Sequence, residues 1–173
     1  MTKKIIILGV AIIMCLGILT GCNSGIKFSI GYESKGYANG AFSFTDANGE
    51  ELGAHNAVRL VTSVAELKAF CSESNNPAFS EDSPKFSNNL SKKIRELDEA
   101  FFAEKALIVV LLTAANAGIV YTVKSVDVDE DTLFVSIKRK ESKGNSAQVI
   151  TPWTFLIEVN QVDIVDIANV KIK

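Results

Sequence analysis

Few residues in this chain have the types and spacing that chemistry requires. His55 is the single histidine among 173 residues, and cysteines stand at positions 15, 22 and 71. A zinc site draws on clustered Cys and His, a set that this inventory does not supply. Asp127, Asp129 and Asp131 alternate as acidic ligands do at the start of a calcium loop. The sixth position of such a loop is then Thr132 where glycine is needed, and the twelfth is Lys138 where glutamate closes the site. The aspartates therefore read as a solvated turn. Glu158 and Asp163 have no spacing that pairs them for acid–base work. Cys71 has no evident base and ends an apolar helical pattern, so it is expected as a buried small hydrophobe. There is no Gly-x-Ser-x-Gly and no phosphate-binding loop. No catalysis, metal or cofactor is expected.

Cys22 is different, because the residues before it prepare it for modification. Lys3-Lys4 is followed by an almost unbroken apolar run from Ile5 to Thr20, then Leu19-Thr20-Gly21-Cys22. Charged start, apolar stretch and small residues at a cut are the order of a secretory signal, and the run is short for a spanning helix. The tetrapeptide resembles the bacterial lipobox. That resemblance implies cleavage before Cys22 and a diacylglycerol on its thiol. Two buried acyl chains, at about 0.8 kcal/mol per CH2, suffice for stable anchoring. The mature protein is expected at the extracytoplasmic face of a bacterial membrane, held by lipidated Cys22, with Cys71 its other cysteine.

Without Lys3 and Lys4, residues 22–173 carry 16 basic and 20 acidic side chains, from totals of 18 and 20. This balance argues against nucleic acid as the main partner, since phosphate binding needs clustered Lys and Arg. Lys138-Arg139-Lys140 and Lys143 flank a turn near Gly144-Asn145. They read as a solvated hairpin end that offers positive charge to anionic headgroups.

The elements that must position these residues are organised around Ala106-Leu-Ile-Val-Val-Leu-Leu112. Seven apolar residues in a row, rich in β-branched side chains, predict a central strand covered on both faces. Before it, Ala57 to Val61 reads as a strand. Ser63, with Glu66 three residues on, caps a helix whose Val64, Leu67, Phe70 and Cys71 share a face. Leu90, Ile94, Leu97 and Phe101 predict a second helix over 88–103. After the central strand, Ile119–Val128, Leu133–Ile137 and Trp153–Val159 alternate as strands, and 164–172 supplies a closing one. The fold class is α+β, a mainly antiparallel sheet with two packed helices. Residues 1–21 read as the signal, 22–55 as a tether or a small hairpin added to the sheet, and 56–173 as the domain.

Three stretches resemble a known family. Val61-Thr-Ser-Val-Ala-Glu-Leu-Lys-Ala-Phe70, Phe101-Phe-Ala-Glu-Lys-Ala-Leu-Ile-Val-Val110 and Pro152-Trp-Thr-Phe-Leu-Ile-Glu158 are similar to segments of PrcB C-terminal-like domains of bacterial secreted and lipid-anchored proteins. The family's Gly-Gly-Tyr turn is replaced here by Gly118-Ile-Val-Tyr121. The resemblance implies a compact, β-rich, complex-stabilising module.

A tethered protein-binding domain is the expected function, and a carrier of a small apolar or glycan ligand is the alternative. The expected contact lies in the connection from Ala114 to Tyr121, at Ala115, Ala117, Gly118 and Tyr121. A deep apolar pocket lined by Phe155, Tyr121 or Phe134 would favour the carrier. A filled core with an exposed aromatic groove or an unpaired edge would favour the binder.

Overall fold

The computed structural model describes residues 25–37, 41–45, 48–50, 56–83, 85–142 and 147–173. Cys15, Cys22, His55, Lys143, Gly144 and Asn145 lie outside the described residues.

Strand β3 (Lys105–Ala114) is the centre, as the apolar run predicts. It pairs antiparallel with β6 (Thr151–Asn160) on one side and with β2 (Ala57–Val61) on the other. Strand side chains alternate between faces, so a uniformly apolar strand needs a layer on each side. Leu107, Val109 and Leu111 pack into one core with Leu67, Phe70, Leu90, Ile94 and Phe102 of the helices. Ala106, Ile108, Val110 and Leu112 pack into a second core with Val126, Leu133 and Val135. The molecule thus has three layers: helices, a four-stranded sheet ordered β1-β6-β3-β2, and a three-stranded sheet ordered β4-β5-β7.

The mixed α+β class stands, with mainly antiparallel pairing. The strands divide between two sheets instead of forming one, and β5–β7 is a parallel pair. Strand β1 (Phe28–Lys35) runs antiparallel to β6 from Phe28 opposite Val159 to Lys35 opposite Trp153. The four-stranded sheet therefore begins ahead of residue 56. A bulge between Ile30 and Tyr32 sets Gly31 against the Glu158 carboxylate, where a Cβ would collide.

Helix α1 (Val64–Glu73) starts as its sequence predicts. Glu66 N–H donates to Ser63 Oγ at 3.2 Å, while the Glu66 carboxylate accepts from Thr62 N at 2.7 Å. The expected single helix over 88–103 is two: α2 (Asn89–Arg95) and α3 (Glu99–Glu104). Asp98 is the cause. Its backbone is extended and its Oδ1 accepts from Phe101 N at 3.0 Å, so it caps a new helix instead of continuing the old one. The break also shifts the buried face from Phe101 to Phe102.

Strands β4 (Ile119–Asp129) and β5 (Thr132–Glu141) form a hairpin closed by Glu130-Asp131, with Glu130 at φ 54°. The alternating aspartates sit at that turn. Strand β7 (Asn169–Ile172) adds beside β5. Ile26 N donates to Val126 O at 2.7 Å, and Gly25 bridges Asp127, which fastens the chain ahead of β1 to the β4 edge.

Candidate functional site

The connection expected to meet a partner joins two sheets, because β3 and β4 do not pair. Ala115 is exposed, and Ala117, Gly118 and Tyr121 are half-buried. Most of its polar backbone is already engaged. Ala117 N donates to Ala147 O at 3.0 Å, and Ala117 O accepts from Lys35 Nζ at 2.5 Å. Gly118 N donates to Asn116 Oδ1 at 2.9 Å, and Gly118 O accepts from Ser142 N at 3.0 Å. Tyr121 packs edge-on to Trp153, and its hydroxyl donates to Thr113 O at 3.0 Å. Lys35 also lies over the Trp153 ring at 5.4 Å. These bonds hold the crossover shut over the inter-sheet core and leave Ala115 as its accessible side chain.

A different place offers unpaired backbone. Among the described residues, β2 is the last strand of one sheet and β7 the last strand of the other. The two edges come within 8 Å of each other, Cα to Cα. Between them lies a cleft of about 460 Å3, lined from β2 and α1 by Arg59, Leu60, Val61, Glu66 and Ala69 and from the β7 side by Ile167 and Val170. Asn169 N donates to Asp131 O at 3.2 Å and Lys173 N to Val135 O at 3.0 Å, both on the β5 side. Successive residues of a strand direct their backbone groups to opposite edges, so the N–H and C=O of Val170 face away from β5. On β2, alternate residues likewise turn their backbone groups away from β3.

The charged side chains beside the cleft are engaged with neighbours. Arg59 Nη2 pairs with Glu73 Oε2 at 2.9 Å, and its guanidinium lies 5.6 Å from the Phe70 ring centre. Glu66 is held by Thr62, through N–H at 2.7 Å and Oγ1 at 3.0 Å. These contacts fix the charged side chains to α1 and the start of the helix. Sequence patterning marks β2 and 164–172 as strands but carries no signal that their free edges meet, since more than a hundred residues separate them.

The three aromatics that would line a carrier's pocket are divided by the sheet. Phe155 is fully buried and stacks on Trp153, with ring centres 5.8 Å apart. Tyr121 packs against the same Trp153. Phe134 lies on the outer face of the three-stranded sheet, 5.0 Å beneath Lys173 Nζ.

Cys71 is buried beneath α1, and loss of solvent pushes its thiol up to about 12. Among the described residues, no three His, Cys, Asp or Glu side chains gather as a metal would require. No helix among them is long and apolar enough to cross a membrane. Comparisons of the chain with family models, with curated proteins and with solved structures find no match, so the likeness to PrcB C-terminal-like domains rests on the three local stretches alone.

Proposed function

We propose that this chain is a lipid-anchored envelope protein whose domain binds an extended segment of another protein along the open β7 edge. The observation that carries the reading is the unpaired backbone of Val170 facing a cleft whose other wall is a second open strand. Such an edge gains affinity from main-chain hydrogen bonds, and flanking apolar positions select side chains. The signal and Cys22 support placement at the membrane, and the local resemblance to a complex-stabilising domain points the same way.

A photoreactive residue at exposed Ala168, in the intact protein in its own membrane, is expected to give one discrete adduct, while the same residue at Ala115 gives none. Val170→Pro removes the outward N–H without touching the β5 ladder and is expected to abolish the adduct. Ala69→Arg blocks the rim from the helix side and gives a second route to the same loss. An adduct that survives both substitutions, or one that forms from position 115 alone, refutes binding at this edge. A small ligand is the second reading, because the cleft volume falls in the range of ligand sites. A bound small mass in native mass spectrometry, displaced by Ala69→Arg, would replace the peptide.

A further inference from the structure

The outer face of the three-stranded sheet is basic on an acidic protein. Inward positions of β4, β5 and β7 fill the second core, so the alternate positions point outward. Thr122 stands opposite Lys138, Val120 opposite Lys140, and Phe134 opposite Lys171. Lys173 continues the row beside Ser136, and Lys124 stands in the bulge between Val123 and Ser125. All five lysines are exposed. The acids on this face are Asp127, which accepts from Ser125 Oγ at 2.7 Å and pairs with Lys173 at 3.6 Å, and, at the turn, Asp129 and Asp131, the latter accepting from Asn169 Nδ2 at 3.4 Å. At ~3.3 Å per residue, the lysine field runs roughly 20 Å from Phe134 to Lys140.

The tether arrives at this same sheet. Gly25 bridges Asp127, and Ile26 N bonds Val126 O, both on β4. Three chain steps separate Gly25 from Cys22, a reach of at most ~11 Å. A diacylglycerol on Cys22 would therefore hold the β4 edge close to the headgroups, within the range where an exposed lysine feels the membrane's charge.

We propose that the lysine face of the β4-β5-β7 sheet lies on anionic phospholipid headgroups beside the anchor. The inference rests on the tether reading and adds an orientation to it. Each lysine near the surface strengthens attraction to an anionic bilayer by about fivefold, and Val120 and Phe134 place apolar surface among them. The helical layer then faces away from the membrane. The β2/β7 cleft stays open at the sheet's far edge, opposite the tethered β4.

The test uses the lipidated protein in vesicles of phosphatidylcholine alone or with one third phosphatidylglycerol. Acylation by an amine reagent is read lysine by lysine, with Lys68 and Lys92 of the helical layer as internal references. On the anionic vesicles, Lys124, Lys138, Lys140, Lys171 and Lys173 are expected to react about fivefold more slowly, and salt near 0.5 M to reverse the effect. Lys138→Glu, Lys140→Glu and Lys171→Glu together are expected to restore reactivity at Lys124 and Lys173. Equal reactivity on both vesicles, in protein whose N-terminal peptide carries the diacylglyceryl mass on Cys22, overturns the docking and leaves the anchor intact. Protection of the same size on phosphatidylcholine alone also overturns it, since the contact would then not depend on anionic headgroups. Absence of the Cys22 modification overturns the anchor, and co-sedimentation of that unmodified chain with anionic vesicles then decides the face by itself.

Discussion

Cys71 shows how one burial decides reactivity. Its thiol lies against Leu67 and Phe70 in the helical core, and desolvation keeps it protonated. At pH 8 it should resist iodoacetamide in the native protein and alkylate readily once the chain is unfolded. The same shift has a sign for stability. Because the folded pKa lies above the unfolded one, stability is intact below pH 9 and falls as pH rises from there toward 12. Burial raises the Tyr32 hydroxyl in the same direction. Melting curves at pH 8 and 10.5 should therefore show an alkaline loss that Cys71→Ala reduces. An alkaline loss unchanged by that substitution would refute the assignment. That Cys71 is a core residue was legible from its place on the apolar stripe of α1. The partners of Glu158 were not. Its carboxylate pairs with Lys105 at 2.7 Å and occupies the space that Gly31 leaves, and only the folded register brings these three together.

At the scale of elements, local physics was readable and distant pairing was not. The run through Ala106–Leu112 marks β3 because a strand buried on both faces has no place for polar residues. The Ser63–Glu66 cap and the alternation through β4, β5 and β6 are signals carried within a few residues. The break at Asp98 is masked in the sequence because apolar spacing continues across it, although an aspartate before Glu99 is itself a capping signal. The strand β1 could be suspected from Phe28, Ile30 and Tyr32, yet its partner β6 lies more than a hundred residues away. Val109 tests the central assignment. It is 1% exposed and packs against the helices, so Val109→Ala should lower unfolding free energy by about 1–3 kcal/mol, measured by urea denaturation. A loss under about 0.5 kcal/mol would be the cost of a surface site and would remove β3 from the core.

At the scale of the whole molecule, both proposals fall on one sheet. The β4 edge takes the tether, the outer face carries the lysines, and the β7 edge opens into the cleft beside β2. This arrangement was beyond sequence reading, since it depends on how the two sheets stack and which strands end them. The small side chains of Ala115–Gly118 suggest a contact surface, and the fold ties the backbone there to Lys35, Asn116, Ser142 and Ala147. The cleft instead presents backbone with no bond on that side among the described residues. The most direct measurement is amide hydrogen exchange at Val170, compared between the protein in its native membrane and the purified protein in detergent. The account predicts fast exchange at Val170 in the purified protein and marked protection in the native membrane, with the exchange of Asn169 unchanged. Equally fast exchange at Val170 in both states, with new protection confined to Ala115–Gly118, would contradict it.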